Sequence, residues 1–295
     1  MVAQNEFNKK YFIGISWFIL SLVSSVTNDL ITKYTGMRLP VYEVTFLRFL
    51  FSTLTLIPFI IYAGKDSLKS ERPLIHILRG ALFFFGITIW THGLVVAHIT
   101  TATLVSFTIP LFTLVLAVFF LNENIIWQRW IATILGFFGI LIIIEPHAAD
   151  FNPWVLVLIL AALMFASLDI INKKYVIKET MLSMLFYSAL TTTTLSIIPA
   201  INCWVSPTIE ELLLFLVLGA SANLILFFIL KAFSIVDATA VAPYRYLELI
   251  LSASFGYLLF NEVPKTSTWL GAMIVIPATL FVTYSEKRRL SKKIV

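Results

Sequence analysis

Long apolar stretches recur along the chain, separated by short polar breaks, and their length sets the first expectation. A helix that crosses the hydrocarbon of a bilayer needs about 20 mostly apolar residues. Ten stretches of that kind fit, at 11–31, 41–62, 74–97, 101–121, 127–144, 154–171, 181–201, 211–230, 238–260 and 267–284. RLP at 38–40, GKDSLKSERP at 64–73, EPHAADFNP at 145–153 and SPT at 206–208 mark the clearest breaks. The shallowest lies at 98–100, where merging the third and fourth stretches would leave nine. The pattern predicts an all-α integral membrane protein of ten transmembrane helices.

The basic residues test that count, because Lys and Arg collect in cytoplasmic loops. With the N-terminus inside, Lys9, Lys10, Lys65, Lys69, Arg72, Arg129, Lys173, Lys174, Lys178, Lys231, Lys287, Arg288, Arg289, Lys292 and Lys293 fall inside. Lys33, Arg38 and Lys265 fall outside, and Arg48, Arg79 and Arg245 lie within spans. Fifteen against three favours ten helices with both termini cytoplasmic. The opening segment MVAQNEFNKK is basic and runs into a full-length span with no small-residue cleavage pattern, so it is expected to be retained as part of the first helix.

Ten helices divide into two sets of five, over 1–145 and 152–285, followed by a basic cytoplasmic tail at 286–295. An odd number per set makes the second copy enter from the opposite side, which gives a 5+5 inverted repeat with a substrate site expected at the repeat interface. FFLNE ends at Glu123 as LLFNE ends at Glu262, and Trp130 and Trp269 keep the same spacing of 139. DLITKY at 29–34 closes the first stretch as DIINKKY at 169–175 closes the sixth, and Pro110 and Pro243 sit inside the fourth and ninth.

Composition narrows the function. Hydrophobic residues make up 59% of the chain and charged ones 13%, with a mean hydropathy of +0.94; a soluble domain carries about 25% charged residues. The net charge of +5 is spread between apolar spans, which suits membrane flanks and a lipid bilayer, not nucleic acid. One cysteine, Cys203, excludes an intrachain disulfide, and the four histidines show no HExxH-like spacing. No cofactor or metal is implied, and without a GxxxxGK[ST] loop the chain is not expected to hydrolyse ATP. A membrane-embedded enzyme would need a nucleophile–base or metal constellation, and none is visible. A receptor or scaffold would call for large loops, whereas the longest connection is about a dozen residues.

Polar groups inside apolar spans are the candidate site residues, because an ionisable side chain in hydrocarbon is costly and usually faces an interior path. The richest stretch is DATAVAPYRYLELILSASFGYLLFNE at 237–262, with Pro243, Tyr244, Arg245, Tyr246 and Glu248 in its first half. Arg245 and Glu248 are three apart and share a helical face, so they can pair; the pair is read either as substrate-facing or as structural. Trp17, Ser21, Ser24 and Asn28 form a semi-polar stripe with Asp29 beside it, and Phe165, Asp169 and Asn172 do the same on the sixth stretch. Asp29 and Asp169 either border a central cavity or are solvated helix ends. Trp90, Phe107, Tyr244 and Tyr246 could wall a planar or cationic ligand. Asn223 serves either as interhelical glue or as a ligand contact. Arg48 and Arg79 are assigned structural roles, Arg79 by snorkelling or by pairing with carbonyls. Lys33, Lys173 and Lys174 are expected to anchor at the interface, and Glu123 and Glu262 to mark span ends.

The segments LRFLFSTLTLIP, LRGALFFFGI, TTATLVSFTIPLFTLVLAVFFLNE and the 237–262 stretch resemble the EamA-type drug/metabolite transporter superfamily over nearly the whole chain. The resemblance implies a secondary carrier with a cavity lined by the first, third, fourth, sixth, eighth and ninth helices, on which all the candidate residues fall. Longer phrases, among them NENIIWQRW and KAFSIVDATAVAPYRYLE, resemble the branch of that superfamily that takes up S-adenosylmethionine across a bacterial inner membrane. That implies S-adenosylmethionine as the substrate, with S-adenosylhomocysteine as a candidate exchange partner. The alternative is an exporter of amino acids or other metabolites. No ligand contact is carried over residue by residue from the resemblance.

Overall fold

The computed structural model describes residues 2–96, 105–106, 108–122, 127–144 and 154–261, with isolated positions beyond. Regular structure among them is helical. In chain order the helices are α1 (Val2–Gly36), α2 (Val41–Ala63), α3 (Pro73–Val96), α4 (Ile109–Phe120), α5 (Trp127–Ile144), α6 (Trp154–Tyr175), α7 (Met181–Asn202) and α8 (Ile209–Ile235). They fall on the first eight apolar stretches. The break at 98–100, Glu123 and Glu262 lie outside the described residues, as does nearly all of the tenth stretch at 267–284.

Five helices among the described residues are long and apolar enough to cross a membrane: Lys10–Gly36, Val41–Ala63, Pro73–Val96, Met181–Asn202 and Ile209–Ile235. Their outward faces carry large apolar side chains such as Phe59, Ile61, Ile198 and Leu213, all exposed. Water would penalise such a surface and lipid would not.

Helix ends follow local sequence. Thr208 and Glu211 form a reciprocal capping box at the start of α8, and Thr180 accepts from the Ser183 amide at the start of α7. Arg38, in the α1–α2 connection, donates to Glu211, and that hydrogen bond pushes its pKa above the ordinary value. The repeated NE endings acquire a physical reason as well. Asn122 and Asn261 end α4 and α10 (Glu248–Phe260) at φ of 52° and 54°. Asparagine tolerates this left-handed region better than most residues.

The ninth stretch departs from the expected continuous helix. It begins as a single turn, α9 (Ala238–Val241), tightens into a 3-10 segment over Ala242–Leu247, and resumes as α10. Pro243 has no backbone N–H to donate and its ring crowds the preceding turn, so regular α-helical pairing fails there. Arg245 therefore sits on irregular backbone.

Helices of the first half pack chiefly on those of the second: α1 on α8, α2 on α7 and α8, and α3 on α6 and α7. Small residues allow the close approach. A Cβ at Gly219 on α8 would run into the backbone of Phe51 and Ser52 on α2, and one at Gly80 on α3 would run into Thr191 on α7.

Two basic residues need correction, and a third takes one of the two readings open to it. Arg79 pairs with a carbonyl and does not snorkel: it is fully buried, donating from Nε to Asn172 Oδ1 at 2.9 Å and from Nη1 to the Met184 carbonyl at 2.9 Å. Lys33 is buried, not interfacial. Lys173 reaches the carbonyls of Phe233 and Val236, both at 2.8 Å, and so caps the C-terminus of α8. A lysine there satisfies carbonyls that the helix cannot pair and complements its dipole. Lys174, the next residue, stays exposed.

Candidate functional site

A cavity of about 140 Å³ lies among α1, α2, α3, α4, α6, α7, α8 and the broken ninth segment. It collects charged and amide side chains from both halves of the chain: Asn28 and Asp29 from α1, Arg48 from α2, Asp169 and Asn172 from α6, Asn223 from α8, and Arg245 and Glu248 from the broken segment. Aromatic groups complete the wall. Trp90 of α3 meets Phe165 of α6 edge to face, with centroids 5.9 Å apart.

The two aspartates lie deep inside. Asp29 and Asp169 are each 6% exposed, which rules out the solvated-end reading for both. Asp29 Oδ1 accepts from Trp90 Nε1 at 2.9 Å, so an α1 carboxylate and an α3 indole fix one another. Asp169 is bonded to the Arg245 guanidinium. This corrects the expected Arg245–Glu248 pairing: Arg245 reaches across to the carboxylate on α6, a partner 76 positions away that spacing within the ninth stretch does not show. Its guanidinium also lies over the Phe18 ring, 5.6 Å from the centroid. Glu248 lines the same cavity, as does Ser25 of α1.

The amides divide in character. Asn223 is fully engaged on α2: its Oδ1 accepts from Ser52 Oγ at 2.7 Å, and its Nδ2 donates to the Ser52 carbonyl at 2.7 Å and to Thr55 Oγ1 at 3.0 Å. Of the two roles open to it, glue between α2 and α8 is the one this geometry fills. Asn28 donates from Nδ2 to Ser221 Oγ at 2.7 Å and to the Leu218 carbonyl at 2.9 Å, but its buried Oδ1 has no partner among the described residues. Asn172 is held by Arg79.

Tyr244 does not join the wall. It is buried in the apolar core beside α1, with its hydroxyl 3.4 Å from that of Tyr11. Tyr244 lies on the 3-10 segment and not on the regular helix expected there. Phe107 and the Tyr246 side chain lie outside the described residues.

Arg48, expected to be structural, also lines the cavity. Glu43, five residues before it and so on a different face of α2, accepts from the Val205 amide at 2.8 Å. A sufficient signal was present: an arginine in mid-span with no acid three or four positions away on α2 must meet a distant group or a ligand. Ser52, one turn further on, marks the same polar face.

A membrane-crossing helical bundle that encloses charged groups from both halves defines a polytopic carrier. The EamA-like transporter family matches this chain twice, over residues 12–145 and 152–284. The chain belongs to that family: it is a multi-pass membrane transporter and not an enzyme. It is similar to the S-adenosylmethionine uptake transporter of Rickettsia bellii, with 62% identity over 290 residues, 98% of this chain and 100% of that one. It is also similar to the riboflavin transporter of Vibrio cholerae, with 28% identity over 281 residues and 94% of each chain. A solved crystal structure superposes with a TM-score of 0.74 at 17% identity, covering 94% of this chain and 98% of the other, and shares the fold.

Proposed function

We propose that this protein imports S-adenosylmethionine across a bacterial inner membrane by alternating access, in exchange for S-adenosylhomocysteine. The observation that carries the reading is the 62% identity to an S-adenosylmethionine uptake transporter over 98% of the chain. The chemistry of the cavity supports it. S-adenosylmethionine presents a sulfonium, an ammonium, a carboxylate and an adenine. Asp29 and Glu248 offer negative charge to the first two, and Trp90 and Phe165 offer faces and edges for the last. A volume of about 140 Å³ is below the ~300–1,000 Å³ of sites for ligands this large. Loading such a substrate then needs a wider state, as alternating access supplies.

The proposal includes ten helices in a 5+5 inverted repeat with both termini cytoplasmic. The packing scheme supports the repeat, because exchanging α1–α3 with α6–α8 leaves the set of major contacts unchanged. Gly80 and Gly219, 139 apart, meet Thr191 and Phe51, which are 140 apart. Thr53 and Thr193, 140 apart, touch one another through hydroxyls at 3.4 Å, as residues beside a twofold axis do.

The test is uptake of labelled S-adenosylmethionine by cells expressing the chain, chased with unlabelled S-adenosylhomocysteine. Saturable uptake with accelerated efflux on the chase is expected. Uptake without acceleration would remove the exchange, and no uptake from correctly inserted protein would move the metabolite-exporter reading to the front.

A further inference from the structure

We propose that Arg48 is the carboxylate receptor of the cavity. With Asn28 and Asp29 as acceptors nearby, it selects ligands carrying a zwitterionic α-amino acid end. The inference deepens the transport reading above and rests on it.

Three arginines lie within the spans, Arg48 and Arg79 buried and Arg245 nearly so, and their partners separate them. Arg79 is engaged by Asn172 and the Met184 carbonyl, and Arg245 by Asp169. Arg48 is 5% exposed and lines the cavity, yet its Nε and Nη1 have no hydrogen-bond partner among the described residues. The Asp29 carboxylate acts on it electrostatically, but no ion pair joins the two. Asp29 is instead held by the Trp90 indole. The Phe49 ring lies 5.7 Å from the guanidinium carbon and closes one face. An unpaired guanidinium away from water is costly, and such a cost persists where a ligand completes the group.

The complementary half of the receptor is also in place. Asn28 is fully buried with its Nδ2 fixed on α8, which leaves Oδ1 as an unpartnered acceptor. Asp29 follows it on α1. Donors on α2 and acceptors on α1 thus face one cavity without neutralising each other by contact. An α-carboxylate and its α-ammonium carry opposite charges a few bonds apart and can satisfy both sides at once. A guanidinium is suited to the first by planar, charge-assisted hydrogen bonding. A ligand with the same adenine and sulfonium but no carboxylate would leave Arg48 unsatisfied.

The experiment measures binding of S-adenosylmethionine and of its decarboxylated analogue to the purified, reconstituted full chain. Wild type is expected to bind S-adenosylmethionine about 10- to 100-fold more tightly, the range of one charge-assisted hydrogen-bonded contact. In Arg48→Gln the ratio should collapse towards one, through weaker binding of S-adenosylmethionine alone. In Arg245→Gln both ligands should weaken alike. If Arg48→Gln does not fold, Arg48→Lys carries the test: the ratio must fall part of the way, because the charge remains and the planar fork does not. An unchanged ratio in the Arg48 variants, or no preference in wild type, overturns the inference and leaves the transport reading standing. If wild type binds neither ligand, the transport reading falls first. Methionine against its decarboxylated amine then decides Arg48, and no carboxylate preference there overturns the inference as well.

Discussion

Arg48 and Arg245 bring the same cation to the same cavity, one from the first half of the chain and one from the second. They differ in what they meet. Arg245 sits on a 3-10 turn and is closed off by Asp169 and the Phe18 ring. Arg48 sits on a regular helix, with two guanidinium nitrogens that bond to nothing described. Irregular backbone and flanking tyrosines make Arg245 look like the ligand contact in sequence, whereas partner geometry gives it an internal task. The lesson is that a buried charge is interpreted by its partners, and local sequence shows only those within a turn or two.

The hardest blow to this contrast would come from removing Arg245. Arg245→Ala leaves Asp169 as an uncompensated buried carboxylate, at a cost of about 3–5 kcal/mol. Thermal unfolding of the purified protein should shift sharply downward, with uptake largely lost from protein that still inserts. Replacing both partners, Arg245→Met with Asp169→Leu, should recover most of the stability without the uptake. If the double variant is as unstable as the single, the pair is not what matters there.

A smaller effect, of different kind, is expected from Arg48→Met. Removing an unpaired cation should leave ligand-free stability unchanged or raise it by about 1 kcal/mol, while abolishing stabilisation by added S-adenosylmethionine. A stability loss as deep as that of Arg245→Ala would erase the distinction between the two arginines. The most indirect change is Asn223→Ala, which removes the amide bonding α8 to the helix that carries Arg48. It should cost about 1–3 kcal/mol and lower affinity for S-adenosylmethionine, with little effect on the decarboxylated analogue. Equal weakening of both ligands would mean that Asn223 touches a part of the substrate they share.

Much of this was legible from the sequence. Lengths of apolar runs placed the ends of α2, α3 and α5 to α8 within about five residues, because hydrocarbon thickness and helical rise leave little choice; α1 runs beyond its apolar stretch at both ends. Asn28, Asp29, Asp169, Asn172 and Glu248 stood out as polar groups within apolar spans, and all of them line the cavity. The failures cluster where regular spacing fails or where partners are distant in sequence. Tyr244 was projected on an α-helix that Pro243 had already broken, and the Arg245–Glu248 pairing left out Asp169 on α6. Lys173 was expected at the interface, but the carbonyls it holds end α8, out of reach of local spacing.

Lys173 and Asp169 have a joint mechanical consequence. They stand four residues apart on one face of α6, and each holds a point on the same downstream stretch: Lys173 the Val236 carbonyl, Asp169 the Arg245 side chain. The chain between those points, single turn and 3-10 segment together, is buckled to α6 at both ends. A piston-like or rotary displacement of α6 would then carry this strap with it, and Arg245 would travel with α6 and with the C-terminal end of α8 that Lys173 also holds. Amide protons along the strap should accordingly exchange with deuterium at the pace of α6, faster only if the buckle is undone.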